Sequence, residues 1–381
     1  MRILVDENVP LAEEFFGELG EVVRQAGRDM TLESVRDADV LIVRSVTPVT
    51  AEMVEGSAIK FVGTCTIGTD HIDLDALRQR GIGFSSAPGS NADSVVDYVL
   101  SSLLLLAEEE GVSLAGKTVG IIGAGEVGGR LATRLDDLDV TCLICDPPRA
   151  EQEGRDDFLD LDTLIERADI LSLHTPLIEA GEHATRHLMD RRRIDALKPG
   201  TVLISAGRGD CLDGEALRER LARAQDLRTV IDVWEHEPAI DEALYDLVDI
   251  PTPHIAGYSV DGKMRGTEMV YQAAMRHFGL PARRKLGQLR PDPWLSKIVL
   301  HGWTPPLEAL SLCARACYDV RRDVLAFDRY RRRLGMAEGF DTYRREYPAR
   351  REFQTLRVEL KKNKGKLRDA LEGVGFSVKL K

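Results

Sequence analysis

The sequence has no apolar stretch long enough to cross a lipid bilayer. Its longest uninterrupted apolar run is Leu103–Ala107, whereas a membrane-spanning helix needs roughly 20 such residues. The segment Met1–Asp6 passes directly into a short strand-like run that ends at an acid. It lacks the long apolar region and the small-residue cleavage site of a secretory signal. We therefore expect a cytoplasmic protein with no membrane partner.

Cysteine is scarce as well, with six residues in a chain of 381. They lack the spacing of a disulfide framework, so we expect a reducing compartment and no disulfide bonds. Cys142 and Cys145 have CxxC spacing, but they fall in a predicted strand, where residues three apart face opposite sides. Cys313 and Cys317 lie one helical turn apart, which is typical of a buried helix stripe. No metal site is expected.

Positive charge is in short supply over the first 280 residues, which hold 27 Lys and Arg against 51 Asp and Glu. Residues 281–381 reverse this balance, with 24 basic against 12 acidic residues. A basic tail can bind nucleic acid, but the acidic remainder would repel a phosphate backbone. We therefore expect the tail to dock on a second copy of the chain. A solvated basic helix face at residues 329–333 is the alternative, and no nucleic-acid partner is expected.

Short apolar runs alternate with helix-like stretches over most of the chain. The runs are Ile3–Val5, Val40–Val43, Lys60–Gly63, Thr118–Ile122, Asp139–Cys145, Ile170–His174, Thr201–Ser205 and Thr229–Val233. This alternation predicts two doubly wound α/β domains, each with a parallel sheet. Beyond Pro281 the pattern changes. We expect a loop over residues 291–306, one helix over Leu307–Leu334 and mixed α and β structure thereafter, which together form an α+β domain.

A glycine-rich turn follows the run that ends at Ile122. Gly123, Gly125 and Gly128 have GxGxxG spacing, and an apolar strand before them and a helix pattern after them form the context of a dinucleotide-binding loop. The first glycine permits the tight turn, the second lets a pyrophosphate approach the main chain, and the third lets helix and strand pack closely. The sequence therefore predicts a dinucleotide site here, although a structural glycine turn is the simpler alternative.

The next strand favours NAD over NADP as the dinucleotide. Asp146 ends that strand, about 20 residues after the glycines, where an acid binds the ribose hydroxyls and repels a 2′-phosphate. Arg149 lies nearby and favours NADP instead, because its positive charge could bind such a phosphate.

Three later segments carry groups suited to hydride transfer from a hydroxy acid. They hold Arg208, Glu237 and His254, and each follows a predicted strand. The chemistry needs a base for the hydroxyl proton, a partner that orients the base, and a cation for the carboxylate. Each residue alone could serve in packing or at the surface, and His236 is a second candidate base. Together the Arg-Gly loop, the Asp-x-x-x-x-Glu-Pro stretch and the Pro-His-x-Ala-Gly stretch resemble the D-2-hydroxyacid dehydrogenase family.

The resemblance implies a role for each of these residues. His254 would be the acid/base, Glu237 would hydrogen-bond its other ring nitrogen, and Arg208 would bind the substrate carboxylate. Asp232 would lie beside the nicotinamide and hold its carboxamide. The NAD contacts implied by position are Gly123, Gly125, Glu126, Val127, Gly128, Asp146, Thr175, Ala206, Asp232 and Gly257.

The resemblance also places substrate contacts at Ser45, Thr66 and Tyr258. On spacing alone, Thr66 could equally cap a helix over residues 70–79. Arg44 is a candidate partner for a substrate phosphate. Ser205 and Ile178 stand where the family commonly has Asn and Thr, which leaves the conformation of those two loops open.

The tail narrows the resemblance to one branch of the family. Gly302–Leu307 and Tyr343–Phe353 resemble a C-terminal dimerisation domain found in enzymes that oxidise a phosphorylated hydroxy acid in vitamin B6 biosynthesis. The domains expected are a substrate (lid) domain at 1–90 and 256–280, an NAD-binding domain at 91–255 and a dimerisation domain at 281–381. Another phosphorylated hydroxyacid dehydrogenase, such as one acting on phosphoglycerate, and a non-catalytic NAD-sensing scaffold are the alternatives. Formate dehydrogenases are disfavoured because they carry Gln in place of Glu237.

Overall fold

The computed structural model describes residues 1–362 and 365–381. The strands are β1 (Arg2–Asp6), β2 (Glu21–Gln25), β3 (Val40–Val43), β4 (Phe61–Thr64), β5 (Gly83–Ser85), β6 (Thr118–Ile122), β7 (Thr141–Cys145), β8 (Ile170–Leu173), β9 (Val202–Ser205), β10 (Arg228–Ile231), β11 (Ile250–Pro251), β12 (Lys297–His301), β13 (Arg357–Lys361) and β14 (Ser377–Leu380). The α-helices are α1 (Ala12–Phe16), α2 (Leu32–Val35), α3 (Ala51–Val54), α4 (Leu74–Gln79), α5 (Ala92–Glu110), α6 (Glu126–Asp136), α7 (Pro147–Glu153), α8 (Leu161–Arg167), α9 (Arg191–Asp195), α10 (Gly214–Ala224), α11 (Glu242–Tyr245), α12 (Val260–His277), α13 (Leu286–Leu289), α14 (Pro306–Cys317), α15 (Arg321–Leu334), α16 (Met336–Arg345) and α17 (Leu367–Gly373).

These residues divide into two compact units. The first comprises Met1–Ala92 and Ser259–Asp292, and the second comprises Asp93–Tyr258 and Pro293–Lys381. The C-terminal residues thus group with the second unit, and the three separate domain ranges expected from the sequence remain a prediction. In the described part of the chain, every helix is too short or too polar to span a membrane.

The first unit is built on a five-stranded parallel sheet in the order β2-β1-β3-β4-β5. Side chains alternate between two separate cores, because successive residues of a strand face opposite sides of the sheet. Ile3 and Val5 lie in one core, and Leu4 lies in the other. Both faces are therefore covered, as the predicted doubly wound arrangement requires.

The second unit contains a six-stranded parallel sheet in the order β11-β10-β9-β8-β6-β7. The strand order reverses between β6 and β8, so the loops that follow these two strands flank a crevice. The strands β9, β10 and β11 are neighbours. Their following loops carry Arg208, Glu237 and His254, which places all three loops at one edge of the sheet.

A third, smaller sheet lies in the C-terminal residues, with the parallel order β12-β13-β14. Strand β12 falls within residues 291–306, where a loop was expected, so that expectation was wrong. Only every second residue of β12 is partly buried, and its pairing with β13 is a long-range contact that the local pattern does not reveal.

The single helix expected over Leu307–Leu334 is also wrong, because the chain breaks between α14 and α15. Tyr318 is extended, with φ of −152°, and its ring is buried. Its hydroxyl donates to Asp323 Oδ2 at 2.7 Å. The hydroxyls of Tyr343 and Tyr347 donate to the same carboxylate at 2.7 and 2.8 Å. The buried carboxylate of Asp323, just after the break, therefore accepts hydrogen bonds from three tyrosine hydroxyls.

The C-terminal residues share a core with the six-stranded sheet. Leu103 on α5, Val119 on β6, Leu310 on α14 and Phe376 before β14 belong to one apolar cluster. Arg134 on α6 ties the same elements together. It pairs with Asp93 at 2.7 Å and Asp97 at 2.5 Å, and it donates to the Val374 carbonyl at 3.1 Å. This shared packing explains why Pro293–Lys381 belongs to the second unit.

Candidate active site

The glycine loop closes tightly between β6 and α6. Gly123 has φ of +85°, which favours glycine, and a methyl group at Gly128 would lie 2.0 Å from the Gly123 carbonyl oxygen. A methyl group at Gly125, in contrast, would meet no atom of the described residues within 4 Å. Gly125 is the N-cap of α6 and offers no side-chain hydrogen bond to it. The first N–H groups of the helix are therefore available to an anion, so the loop fits a pyrophosphate.

Asp146 ties the end of β7 to this loop. Its Oδ2 accepts from the Ala124 N–H at 2.8 Å, and its Oδ1 accepts from the Arg149 N–H at 3.1 Å, which makes Asp146 the N-cap of α7. Each carboxylate oxygen keeps a further lone pair, so ribose hydroxyls can still bind here. Arg149 donates to the Ala124 carbonyl at 2.5 Å and to Glu153 at 2.7 Å. Arg149, whose charge could have favoured NADP, is thus hydrogen-bonded within the protein.

Thr175 lies on the opposite side of the crevice. A methyl group at Gly123 would come within 3.0 Å of Thr175 Cγ2, and one at Gly207 within 2.7 Å of the Thr175 carbonyl oxygen. The loops after β6, β8 and β9 are therefore in direct contact. Thr175 Oγ1 is buried and has no hydrogen-bond partner among the described residues. A buried hydroxyl without a partner is costly, and a bound ligand would satisfy it.

His254 and Glu237 form a close pair. His254 Nδ1 lies 2.7 Å from Glu237 Oε2, and Glu237 Oε1 accepts from the Trp234 N–H at 2.9 Å. Burial alone would raise the pKa of Glu237, but His254 and the Trp234 N–H outweigh it and hold that pKa below its usual value. Glu237 is therefore ionised at neutral pH. The ring nitrogen Nε2 of His254 has no hydrogen-bond partner in the described part of the chain.

Arg208 lies on the neighbouring loop with an exposed side chain. Its Nη1 donates to the Gly207 carbonyl at 2.9 Å. A methyl group at Gly209 would lie 2.0 Å from the Trp234 carbonyl oxygen, so the Arg208 loop packs directly against the main chain that positions Glu237. The second histidine of this region, His236, has φ of +61° and lies one residue before Glu237.

Asp232 has a structural role that the sequence did not reveal. Only 1% of the residue is exposed. Its Oδ1 accepts from Thr252 Oγ1 and the Ile255 N–H, and its Oδ2 accepts from the Ala256 N–H, at 2.7 to 2.9 Å. Burial raises its pKa, while His254 and these donors oppose the rise. Its carboxylate thus organises the His254 loop, and the contact with a nicotinamide carboxamide stays a prediction.

Two further residues that sequence reasoning missed also hold this loop. Thr252 Oγ1 is 2.7 Å from the Tyr98 hydroxyl, which links the loop to α5. Arg350 is buried and donates to the carbonyls of Ala256 at 3.2 Å and Ser94 at 2.6 Å. The only feature of the sequence that pointed to Arg350 was its position in the basic C-terminal stretch, and charged residues in such a stretch more often face solvent.

The three residues expected to bind substrate fall in different units. Ser45 and Thr66 follow β3 and β4 in the first unit, and Tyr258 is in the second. Thr66 Oγ1 lies 2.7 Å from Thr64 Oγ1. Helix α4 is capped instead by Asp73, so the helix-cap alternative for Thr66 is wrong.

The remaining expected contacts lie around the glycine loop and the His254 loop. Glu126 and Val127 occupy the first turn of α6, and Glu126 accepts from Arg130 at 3.0 Å. Ala206 follows β9 and is partly buried against the core, and Gly257 is half-buried directly after Ala256. Within the described residues, no group of three or more His, Cys, Asp or Glu side chains could hold a metal ion.

Comparison with known proteins places this site in a family. Residues 105–256 match the family model described as D-isomer specific 2-hydroxyacid dehydrogenase, NAD binding domain, and residues 289–375 match a domain of unknown function. The TT0316 protein of Thermus thermophilus superimposes with a TM-score of 0.61 at 29% identity, covering 74% of this chain and 99% of that one. NAD-dependent formate dehydrogenase from Staphylococcus aureus, solved with NAD, has a TM-score of 0.57 at 25% identity, covering 73% and 96%.

Two curated relatives match over the whole length. The erythronate-4-phosphate dehydrogenase of Chromohalobacter salexigens is 76% identical over 380 residues, which is 100% of this chain and 99% of the relative. The protein of the same name from Azotobacter vinelandii is 52% identical over 377 residues, covering 98% and 99%. This chain therefore belongs to the D-2-hydroxyacid dehydrogenase family, and within it to the erythronate-4-phosphate dehydrogenases.

Proposed function

We propose that this protein oxidises 4-phospho-D-erythronate to (R)-3-hydroxy-2-oxo-4-phosphobutanoate with NAD, in the biosynthesis of pyridoxine 5′-phosphate. The observation that carries the proposal is the hydrogen-bonded pair of His254 and Glu237 on loops adjoining a dinucleotide crevice. Full-length identity of 76% to a relative named for this substrate supports the choice of hydroxy acid.

The site residues would divide the reaction as follows. His254 Nε2 takes the proton from the C2 hydroxyl, and the ionised Glu237 stabilises the imidazolium that results. Arg208 binds the carboxylate beside the reacting carbon and polarises the hydroxyl group. NAD, when bound, accepts the hydride from C2. The glycine loop and the N-terminus of α6 would bind its pyrophosphate, and Asp146 and Thr175 its adenosine side.

The test is NADH formation by the purified protein with a panel of hydroxy acids, with hydrazine present to trap the 2-oxo acid. The panel contains 4-phospho-D-erythronate, 3-phospho-D-glycerate, D-lactate and D-erythronate. We expect the highest kcat/KM for 4-phospho-D-erythronate. A higher value for 3-phospho-D-glycerate would identify a different phosphorylated-acid dehydrogenase. No turnover of any member would favour a non-catalytic NAD-sensing protein.

We propose further that the protein is a homodimer joined through its C-terminal residues. Trp294 is 93% exposed and Trp303 65% exposed, and Val299 and Leu325 are also exposed apolar residues of this region. Large exposed apolar side chains in one region are typical of an interface. Sedimentation velocity should find dimers of the native chain and monomers of a Trp294→Ser, Trp303→Ser double variant. A monomeric native chain, or a variant that stays dimeric, contradicts the proposal.

The thiols support a cytoplasmic location. None of the six cysteines, all of which lie in the described part of the chain, forms a disulfide bond, and burial raises the pKa of Cys65 and Cys313 to about 12. Such thiols pack as apolar groups and are kept reduced in the cytoplasm. Fractionation of the native host cell should recover the protein with soluble cytoplasmic enzymes.

A further inference from the structure

Arg344 lies in the last turn of α16, beside a residue expected to bind substrate. Its guanidinium carbon is 5.5 Å from the centre of the Tyr258 ring and 5.4 Å from that of Phe340. Tyr258 in turn makes an edge contact with Tyr347, with ring centres 5.5 Å apart. Arg344 is thus held between aromatic side chains, which fix a guanidinium without neutralising it.

The charge of Arg344 has no counter-ion in the described part of the chain. No carboxylate lies within 4 Å of it there, and its buried Nε has no hydrogen-bond partner among those residues. Other arginines of the region are engaged, since Arg331 pairs with Asp246 at 2.7 Å and Arg345 donates to Thr342 Oγ1 at 3.1 Å. A partly buried cation without a partner is costly, and an anionic ligand would relieve that cost.

The same guanidinium lies within electrostatic reach of the reacting groups. Its charge is among those that lower the pKa of Glu237, after the larger effects of burial, His254 and the Trp234 N–H. Tyr258 follows His254 by four residues along the loop that Asp232 organises. Arg344 therefore belongs to the surroundings of His254, although it lies far away in sequence.

We propose that Arg344 is a substrate-binding residue that binds the phosphate group of the substrate. The inference rests on the proposed function, in which the substrate carries two anionic groups. Arg208 matches the carboxylate next to the reacting carbon, and Arg344, which has no carboxylate partner among the described residues, is available to the phosphate. A guanidinium binds phosphate oxygens with two parallel hydrogen bonds. Arg44, the phosphate partner suggested by the sequence, has a counter-ion within the protein, since it lies 3.8 Å from the fully buried carboxylate of Asp6.

The experiment compares Arg344→Gln with Arg345→Gln, its exposed neighbour, on substrates with and without the phosphate. For Arg344→Gln we expect kcat/KM for 4-phospho-D-erythronate to fall roughly 10- to 100-fold, mainly through KM. The value for D-erythronate should be unchanged. Inorganic phosphate, used as a competitive inhibitor, should bind about tenfold more weakly. Arg345→Gln should match the native protein in all three measurements.

An equal loss on both substrates would overturn the proposal, because it would mean that Arg344 acts by positioning Tyr258 or Glu237. Unchanged kinetics on both would overturn it as well. Arg344→Lys keeps the positive charge but cannot form the two parallel hydrogen bonds of a guanidinium. Its KM for 4-phospho-D-erythronate should lie between those of the native protein and Arg344→Gln, and this variant provides the test if Arg344→Gln folds poorly. If D-erythronate turnover is too slow to measure, inhibition by inorganic phosphate decides. A native protein inactive on the whole panel contradicts the proposed function itself, which separates the two failures.

Discussion

The main-chain oxygen of Asp232 accepts a hydrogen bond of 2.7 Å from the N–H of His254. The carboxylate of the same residue binds the N–H groups of Ile255 and Ala256, the next two along the chain. One acidic residue therefore fixes three consecutive N–H groups around the proposed base. This arrangement explains how a histidine on a loop can keep a defined orientation.

Replacing Asp232 with Asn should disturb this loop. The carboxylate of Asp232 accepts hydrogen bonds through both oxygens. The NH2 group of an asparagine would face one of these donors and could not accept its hydrogen bond, so buried N–H groups would lose their partner. We expect a loss of roughly 1–3 kcal/mol in the free energy of unfolding and a clear fall in turnover. Urea denaturation and NADH formation measure the two effects. Asp369→Asn, at an exposed helix position, is the control, and native-like stability of Asp232→Asn would disprove the structural role.

Two glycines of the dinucleotide loop should respond differently to the same substitution. Gly128→Ala places a methyl group 2.0 Å from the Gly123 carbonyl oxygen, so it should lower the free energy of unfolding by about 1–3 kcal/mol. The methyl group of Gly125→Ala meets no atom within 4 Å among the residues that the structure describes, so this substitution should leave stability unchanged. It should nevertheless weaken NAD binding by at least about tenfold, because a methyl group obstructs the pyrophosphate. Calorimetric titration that finds native NAD affinity in Gly125→Ala would contradict this.

Removing the proposed base should abolish chemistry while sparing the cofactor. His254→Ala should reduce kcat by roughly 10²–10⁴-fold, the usual contribution of a general base, because no other group then takes the hydroxyl proton. The dissociation constant for NAD should change little, since the glycine loop, Asp146 and Thr175, which would bind the pyrophosphate and the adenosine, lie on other loops. His236→Ala tests the neighbouring histidine and should retain most activity. The assignment of His254 as the base would be wrong if His254→Ala lost NAD affinity to the same extent as activity. It would also be wrong if only His236→Ala were inactive.

His174 should contribute a pH-dependent part of the stability. Burial lowers its pKa from 6.5 to about 4, and its Nε2 is 2.8 Å from Ser172 Oγ. The folded state resists protonation, so this stability is fully present above pH 6.5 and is lost as the pH falls towards 4. The loss is at most about 3 kcal/mol.

The variant His174→Gln should show a flatter dependence of unfolding free energy on pH between 6.5 and 4. His183→Gln is the control, because His183 is a partly exposed histidine paired with Glu151. Parallel pH profiles of the native chain and of His174→Gln would mean that His174 does not titrate as described.

Much of the fold could be predicted from local pattern. The strands β3, β6, β8 and β9 coincide closely with apolar runs, because a strand buried on both faces leaves a continuous apolar signal. Strands β2, β5 and β12 carry weaker signals. Strand β2 lies at a sheet edge and is only partly buried, so its residues are not selected for apolar character.

For this protein, the sequence by itself determined the glycine loop, the acid that ends β7 and the order of Arg208, Glu237 and His254 along the chain. These depend on turn chemistry and spacing, which act over a few residues. Only the tertiary structure decided that Asp232 binds the His254 loop, that Arg350 supports it, and that Arg344 lies against Tyr258. Such contacts join residues up to 256 positions apart, as Ser94 and Arg350 do, and no local periodicity encodes which distant side chains meet when the core closes.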